Sequence, residues 1–267
     1  MVTIQEMIRQ AKLEGYTDEN AEAKVCQDIV LKALSESSLS RNTTIKGGVV
    51  IRSISKDARR ATQDLDIDFI RYSLRDESVR AFIQQLNVLA EFHIEQKGEI
   101  RELKQQDYRG KRVYVTIRDS ADDTLESKID LGVHKKLSIK QEEYCFDIVC
   151  FEDGACLLIN TKEQMFTEKL CSLLAFGYTS TRYKDVFDMC YLLDYVDIEK
   201  TKECIEDYIF SDSRKHEKTI DAIQKRMRET FSSEDYLDKM KKSRKNWLDI
   251  DEQEVFSRIM RFLEKLK

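Results

Sequence analysis

An alternation of acidic and apolar residues constrains the fold of this chain more than any other feature. The run from Asp64 to Phe69 reads Asp-Leu-Asp-Ile-Asp-Phe. Successive side chains of a β-strand point to opposite faces, so the three apolar side chains enter a core while the three carboxylates share the other face. Because like charges on one face repel each other, a bound divalent cation is the simplest physical reason for keeping them together. The run therefore predicts a strand with one buried face and one metal-binding face.

A glycine pair precedes this strand and indicates phosphate chemistry. Gly47 and Gly48 end a short β-prone run, Thr43 to Lys46, and lead into an apolar segment of helical character, Val49 to Ile54. Glycine allows a sharp turn and the close approach of a ligand to the backbone, and the first turn of a helix offers free N–H groups to phosphate. Phosphate binding beside carboxylates is the arrangement that metal-assisted phosphoryl or nucleotidyl transfer requires. On spacing alone, a simple glycine turn before a solvated acidic strand remains the alternative.

The composition describes a folded chain with room for two modest domains. The chain has 267 residues, of which 41% are hydrophobic and 36% are charged, which is the balance of a globular protein and not of a disordered one. No apolar run approaches the length of a membrane span, and the N-terminal residues lack the pattern of a secretion signal, so we expect a cytoplasmic protein without a membrane partner. Seven scattered cysteines without a CxxC pair predict reduced thiols and no zinc site.

Charge is distributed unevenly along the chain. The net charge of −5 gives no overall basic footprint for a nucleic acid. Residues 214–245, however, carry eleven Lys and Arg against six Asp and Glu. Such a stretch is usually a solvated helix face, and it is also where contacts to an RNA backbone are expected.

Hydrophobic periodicity divides the chain into a mixed part and a helical part. Strands are predicted over residues 43–46, 64–72, 112–117, 127–133, 144–151 and 155–159, with a turn at 152–154. Helices are predicted over residues 4–14, 18–37, 73–94, 199–210, 215–231, 234–247 and 251–266, and further helices begin at Thr161 and near Asp185. We therefore expect an α/β domain of the α+β type with a mixed sheet over residues 1–160, and an all-helical domain over residues 161–267. His93, at the end of the long predicted helix, is expected to be structural or exposed and not a ligand, and Trp247 is expected to anchor the core of the helical domain.

A third carboxylate occupies a comparable place on another predicted strand. In the run from Ser127 to Val133 the apolar residues share one face, which leaves Asp130 on the other face beside Gly132. Asp130 is therefore the carboxylate outside the first acidic strand that is best placed to join a metal site. An aspartate on the wet face of a strand is more often simply solvated, so this alternative also stays open.

The residues around the glycine pair resemble a known family. The glycine pair after Lys46, followed by the run Arg60 to Asp66 with the letters Arg-Ala-Thr-Gln-Asp-Leu-Asp, is similar to the first motif of the AbiEii/AbiGii-type abortive-infection toxins. These toxins belong to the DNA-polymerase-β-like nucleotidyltransferase superfamily. Fifteen residues separate Gly48 from Asp64, somewhat more than is usual there, so we expect a longer loop at residues 55–59.

Later segments follow the order of the same family. Asp130 resembles the third acidic residue of the superfamily, and the run Glu168 to Leu170, which contains Lys169, is similar to the third motif. The run Arg182 to Asp188, an Asp-x-x-Asp at the start of a helix, is similar to the fourth. Each segment alone could be an ordinary surface lysine or a helix N-terminus with acids that complement the dipole. Found together and in order, the segments support the resemblance.

The resemblance implies a role for each matching residue. Asp64 and Asp66 would hold Mg²⁺, and Asp130 would complete the metal site or accept a proton from the attacking hydroxyl. Nucleotide binding would fall to Lys46, Gly47, Gly48, Arg60 and Thr62. In the helical domain the catalytic residues would be Lys169, which neutralises phosphate charge, together with Asp185 and Asp188.

The resemblance also implies an activity and partners. The chain would move an NMP group from an NTP to an acceptor, with the 3′ end of tRNA as the expected acceptor. It would act as the toxin of a bacterial type IV toxin–antitoxin system in abortive infection and phage defence. The implied partner is a cognate antitoxin that is encoded nearby, with or without a stable complex. Two alternatives stay open, namely a nucleotidyltransferase that modifies a protein or a small molecule, and a catalytically silent nucleotide-binding partner protein.

Overall fold

The computed structural model describes residues 2–103 and 110–267. The chain forms two compact units, Met1–Asn160 and Thr161–Lys267. Each unit has its own buried core. None of the helices in the described part of the chain combines the length and the apolar character that a membrane crossing requires.

The first unit is built around a mixed seven-stranded sheet. Its strands are β1 Thr43–Lys46, β2 Leu65–Phe69, β3 Phe92–Leu103, β4 Gly110–Asp119, β5 Thr124–Val133, β6 Glu142–Ile148 and β7 Phe151–Ile159. Their order across the sheet is β3-β4-β5-β2-β1-β7-β6. The pairs β2–β5 and β1–β7 are parallel, and the remaining neighbours are antiparallel. The helices of this unit are α1 Ile4–Leu13, α2 Asp18–Glu36, α3 Gly48–Ser55 and α4 Asp76–Gln85.

The core of the first unit lies between one face of the sheet and α2. From Val25 to Leu34 every residue of α2 is buried, and this helix packs against β5, β6 and β7. A helix that is buried around its whole circumference needs core neighbours on all sides. On β2, Leu65, Ile67 and Phe69 are buried in this core. The alternation of β2 therefore directs its aspartates to the opposite face of the sheet.

The long helix predicted for residues 73–94 is wrong in its second half, because α4 ends at Gln85 and β3 begins at Phe92. Asn87 ends the helical segment, since its side chain donates to the carbonyl of Ile94 at 2.8 Å and accepts from the amide of Ile94 at 2.8 Å. An Asn side chain that binds nearby backbone groups competes with continuation of a helix. His93 consequently lies exposed in a strand, between two buried apolar residues.

The hairpin of β6 and β7 turns earlier than predicted. The chain reverses at Val149 and Cys150, and Cys150 has a φ of 64°. The predicted turn at residues 152–154 lies inside β7 instead. Gly154 in that strand has a φ of 60° and faces the carbonyl of Phe146, next to a shift in the strand register. The acidic residues and the glycine therefore belong to an irregular strand and not to the turn.

The prediction that all the cysteines are reduced is wrong for one pair. Cys145 on β6 and Cys156 on β7 are register partners and form a disulfide, with their Cα atoms 3.9 Å apart. Cys26, Cys150, Cys190 and Cys204 are free thiols. The pairing depends on the register of the hairpin, which brings the two thiols face to face and which cysteine spacing alone does not determine.

The second unit is helical throughout. Its helices are α5 Lys162–Phe176, α6 Tyr183–Leu192, α7 Ile198–Ile205, α8 Ile220–Phe231, α9 Glu234–Lys242 and α10 Glu252–Lys265, and α7 continues into a π-helical turn, Glu206–Phe210. Thr161 caps α5 as predicted, since its hydroxyl accepts from the amide of Gln164 at 3.2 Å. The helix predicted from residue 215 begins only at Ile220, because Thr219 is the residue that supplies the N-cap oxygen.

Candidate active site

Two adjacent parallel strands bring the predicted metal ligands together. In the pairing of β2 with β5, Asp66 stands directly opposite Asp130. Asp64 lies just before β2 and forms an ion pair with Lys128 of β5, with Nζ and Oδ1 2.6 Å apart. Asp66 and Asp130 therefore stand at one level on neighbouring strands, and Asp64 lies two residues before Asp66 on the same side of the chain.

The glycine pair packs directly against these residues. Gly47 has a φ of 69° and a ψ of −141°, a conformation that L-residues with a side chain rarely adopt. A Cβ at position 47 would lie 2.6 Å from Oδ2 of Asp66, and a Cβ at position 48 would lie 2.7 Å from Oγ1 of Thr62. Helix α3 begins at Gly48. The backbone at the start of α3 can therefore lie this close to Asp66 and Thr62 only because residues 47 and 48 are both glycine.

Cations hold two of the three carboxylates. Arg112 on β4 binds Asp130 in a bidentate arrangement, with Nε–Oδ1 and Nη2–Oδ2 distances of 2.7 Å. Lys128 holds Asp64. The hydrogen bond to Asp130 is the largest of the effects that raise the pKa of Arg112. The sequence prediction missed Arg112 and Lys128, because only the register of β4, β5 and β2 places them beside the aspartates.

Lys46 and Asp68 form a separate, deeper pair. Lys46 was predicted to bind nucleotide, and its Nζ lies 2.8 Å from the carboxylate of Asp68. Asp68 is buried, whereas Asp66 is only half-buried. In the pairing of β1 with β2, Lys46 stands opposite Asp66. The third aspartate of β2 thus provides a counter-ion for Lys46 beneath the surface.

Asp66 has the most perturbed acid–base behaviour of the site. Its pKa is raised to about 7, first because burial disfavours the charged form, while Lys46 opposes the rise and Asp130, Asp64 and Asp68 add to it. Like charges that share a site raise each other's pKa, and a bound cation counters this effect. This electrostatic environment fits a group of carboxylates that binds a cation.

Buried polar side chains support the loop that leads to Asp64. Gln27 on α2 is fully buried, and its Nε2 donates to the carbonyl of Thr62 at 2.9 Å and to that of Asp64 at 3.5 Å. Arg52 on α3 donates to the Oε1 atom of Gln27. The sequence prediction missed Gln27, since an amide inside a helix resembles an ordinary solvated residue until its burial is known.

Arg60, which was predicted to touch phosphate, belongs to the same loop. It ends a short 3₁₀ turn, Ala58–Arg60, and the residue is 3% exposed. Lys56 precedes this turn with a φ of 52° and caps α3. The loop at residues 55–59 is therefore occupied by a left-handed cap and a 3₁₀ turn, and the side chain of Arg60 packs inward.

The donor chemistry of the site fits a divalent cation, although the carboxylates are engaged with other groups. Within residues 2–103 and 110–267, no three or more His, Cys, Asp or Glu side chains are arranged to hold a metal ion as they stand. Both oxygens of Asp130 bind Arg112, and Asp64 binds Lys128. Carboxylate oxygens are the ligands that Mg²⁺ prefers in proteins. The residues thus fit the ion in donor type, and Arg112 and Lys128 compete for the same oxygens.

The second unit contains a compact charged cluster of its own. Lys169 on α5, which is 9% exposed, donates to Oδ1 of Asp185 at 2.6 Å and lies 2.8 Å from Oδ2 of Asp188. Asp185 and Asp188 share a face of α6 because they are three residues apart. Trp247 donates from Nε1 to Oδ1 of Asp188 at 3.0 Å. The structure therefore brings together the three predicted catalytic residues of this unit, and Lys169 is not an ordinary surface lysine.

Comparison with solved structures identifies the class of the fold. A crystal structure described as an antigenic nucleotidyltransferase-like protein from Paracoccidioides brasiliensis matches with a TM-score of 0.50 and 14% sequence identity, over 80% of this chain and 92% of that chain. At this identity the match shows the fold alone. No match was found among curated proteins.

Comparison with protein families identifies the family. Residues 29–258 match the family described as nucleotidyl transferase AbiEii toxin, type IV TA system. The chain thus belongs to the AbiEii family of nucleotidyltransferase toxins. The predicted fold class and the predicted enzyme class are confirmed, and the roles of individual residues remain predictions.

Proposed function

We propose that the chain is a Mg²⁺-dependent nucleotidyltransferase that moves an NMP group from an NTP to the 3′ end of tRNA. In this proposal it acts in the cytoplasm as the toxin of a type IV pair, with an antitoxin encoded nearby. The observation that carries the proposal is the placement of Asp64, Asp66 and Asp130 on adjacent strands beside the glycine pair.

The aspartate face supplies the proposed catalytic groups. Asp64 and Asp66 would hold the ion, which when bound neutralises charge on the triphosphate. Asp130 would complete the site or accept the proton of the attacking hydroxyl. In the second case the hydroxyl gives its proton to Asp130 as its oxygen bonds to the α-phosphorus, the bond from that phosphorus to the pyrophosphate oxygen breaks, and pyrophosphate leaves with the electron pair. Because both oxygens of Asp130 bind Arg112, proton transfer to Asp130 would compete with this ion pair.

The groups around the aspartates would bind the nucleotide. The backbone N–H groups at Gly47 and Gly48 are proposed to bind phosphate at the start of α3. Thr62 packs against Gly48 and would hold the loop before Asp64 in place against the start of α3. Lys46, held by Asp68, and Arg60 would add positive charge to the surroundings of the site.

The charged cluster of the second unit has a proposed role in the same reaction. Lys169 would neutralise phosphate charge, as the family resemblance implies. Asp185 and Asp188 would orient its ammonium group, since both carboxylates contact it. A lysine held in this way loses less side-chain freedom on binding than a solvated one.

The proposal is tested by labelling. The protein is incubated with Mg²⁺, total tRNA and each of the four NTPs labelled at the α-phosphate, and label on tRNA is measured after electrophoresis. Asp66→Ala should abolish transfer, because it removes the carboxylate nearest to the glycine pair. Asp122→Ala, at an exposed carboxylate of the first unit, is the matched control and should transfer as the wild type does. Unchanged transfer by Asp66→Ala would contradict the mechanism, and label on protein or a small molecule instead of tRNA would contradict the proposed acceptor.

A further inference from the structure

A tryptophan far away in the sequence determines the position of one carboxylate in the charged cluster of the second unit. Asp188 is fully buried, and its two oxygens contact different donors. Oδ2 lies 2.8 Å from the ammonium group of Lys169, and Oδ1 accepts from the indole N–H of Trp247 at 3.0 Å. A buried carboxylate needs a partner at each oxygen, so the two contacts together fix its orientation.

The surroundings of Trp247 make this contact rigid. The residue is buried, lies between α9 and α10, and packs its ring 5.3 Å from that of Tyr191 on α6. The side chain of its neighbour Asn246 donates to the carbonyl of Ile250 at 2.8 Å, which closes this short segment on itself. A planar donor held by ring packing and by a closed loop has little freedom to follow a moving carboxylate.

We infer that Trp247 is a positioning residue for the transfer reaction: its indole N–H fixes Asp188, and Asp188 fixes the ammonium group of Lys169. The inference depends on the proposed function for its effect on the reaction, while the link between the three side chains can be measured without substrate. If Trp247 acted only by filling space, another aromatic ring would replace it. The hydrogen bond to a charged oxygen is the contact that only the indole N–H supplies.

The first test uses the fluorescence of the chain. Trp247 is the single tryptophan, so its emission reports on this cluster alone, with no nucleotide present. Lys169→Met removes the counter-ion of Asp188, and Asp188→Asn removes the charge that faces the indole. Both variants keep Trp247 and should shift its emission maximum relative to the wild type. The matched control, Gln224→Leu, removes an N–H donor to Glu264 in the same unit and should leave the emission unchanged. Identical emission in wild type, Lys169→Met and Asp188→Asn would overturn the inference.

The second test is kinetic and uses Trp247→Phe, which keeps an aromatic ring and removes the N–H group. We expect kcat/KM for the NTP to fall about tenfold, the scale of losing one hydrogen bond to a charged group, with the far-ultraviolet circular dichroism retained. In the Asp188→Asn background the same substitution should have almost no further effect, because both changes break one chain of contacts. Equal losses in the two backgrounds, or the same loss in Gln224→Leu, would overturn the inference. If the wild type transfers no label, the proposed function fails, and the fluorescence test still decides whether the three side chains are linked.

Discussion

At the scale of single residues, the site depends on glycines that have no side chain and on carboxylates that bind basic side chains. Gly47 is required by its backbone conformation and by the proximity of Asp66. Asp130 and Asp64 are each bound to a cation of the sheet. Their charges are therefore compensated in the protein, which explains how a strand rich in carboxylates remains stable.

Gly47→Ala should reduce nucleotidyl transfer about a hundredfold, the scale of a displacement of about 1 Å at a reacting centre. The added methyl group would meet Oδ2 of Asp66 at 2.6 Å. Gly98→Ala is the matched control, since Gly98 has nearly the same φ, 68°, and no atom of the described residues lies within 4 Å of the added Cβ. Both variants should lose about 1 kcal/mol or more of stability from the backbone alone, as measured by urea unfolding. Equal activity in the two variants would show that contact with Asp66 is unimportant.

At the scale of elements, the sequence predicted a segment correctly where its apolar residues followed only the strand period or only the helix period. It failed where the apolar residues fitted both periods. The alternation of β2, β4 and β5 gave the correct type of element and placed most of their apolar residues in the core, whereas Asp68 and Asp130 on the opposite face are also buried. The stretch after α4 carries apolar residues that fit either a helix or a strand, and the side chain of Asn87 resolves the ambiguity. The register of the strands was not predictable, because it is set by pairing between segments that are distant in the sequence.

Helix α2 supports the catalytic loop through a single amide, and Gln27→Leu should weaken both the fold and the reaction. The substitution removes the donor to the carbonyls of Thr62 and Asp64 and the acceptor of Arg52. Leaving buried polar groups without partners costs about 1–3 kcal/mol, which chemical unfolding would detect. Transfer should fall even under conditions where the variant remains folded. Ser35→Ala on the same helix is the control. The Ser35 hydroxyl donates to the carbonyl of Lys32 within the helix, so its removal should change neither the stability nor the transfer rate.

At the scale of the whole molecule, two units with separate cores divide the predicted site residues between them. The first unit contains the aspartate face and the glycine pair, and the second contains the cluster around Lys169. Each group of residues is assembled within its own unit by contacts between distant segments. The stability of the first unit should also depend on pH, because folding partly buries the carboxyl group of Asp66 among like charges.

Asp66 should make the folded protein less stable as the pH rises from about 4 to about 7. An aspartate in an unfolded chain has a pKa of about 3.9, and in the folded protein the pKa of Asp66 is raised to about 7. The folded state therefore binds more protons than the unfolded state across this interval. The stabilisation that protonated Asp66 provides is fully present below the unfolded pKa and is lost as the pH rises through the folded pKa. Urea unfolding in EDTA should show Asp66→Asn gaining stability over the wild type at pH 8 and not at pH 4, and Mg²⁺ should reduce the gain.

Asp57→Asn is the control for this prediction. The hydrogen bond from Arg59 lowers the pKa of Asp57, so its stabilising contribution is lost only as the pH falls below the usual range of a carboxyl group. The difference between this variant and the wild type should therefore be the same at pH 6 and pH 8. A gain for Asp66→Asn that does not change with pH would show that Asp66 is not protonated by folding.

The sequence by itself determined the type of most elements and the family, and it singled out the aspartates and the glycine pair as candidate site residues. These features depend on local periods, on backbone conformations that favour glycine, and on short motifs, all of which are encoded by residues close together in the chain. Only the tertiary structure decided that Arg112 holds Asp130, that Gln27 supports the loop, that Trp247 fixes Asp188, and that Cys145 faces Cys156. Each of these contacts joins residues whose positions depend on strand register or on packing between helices. Many distant side chains set these positions together, and no local pattern encodes them.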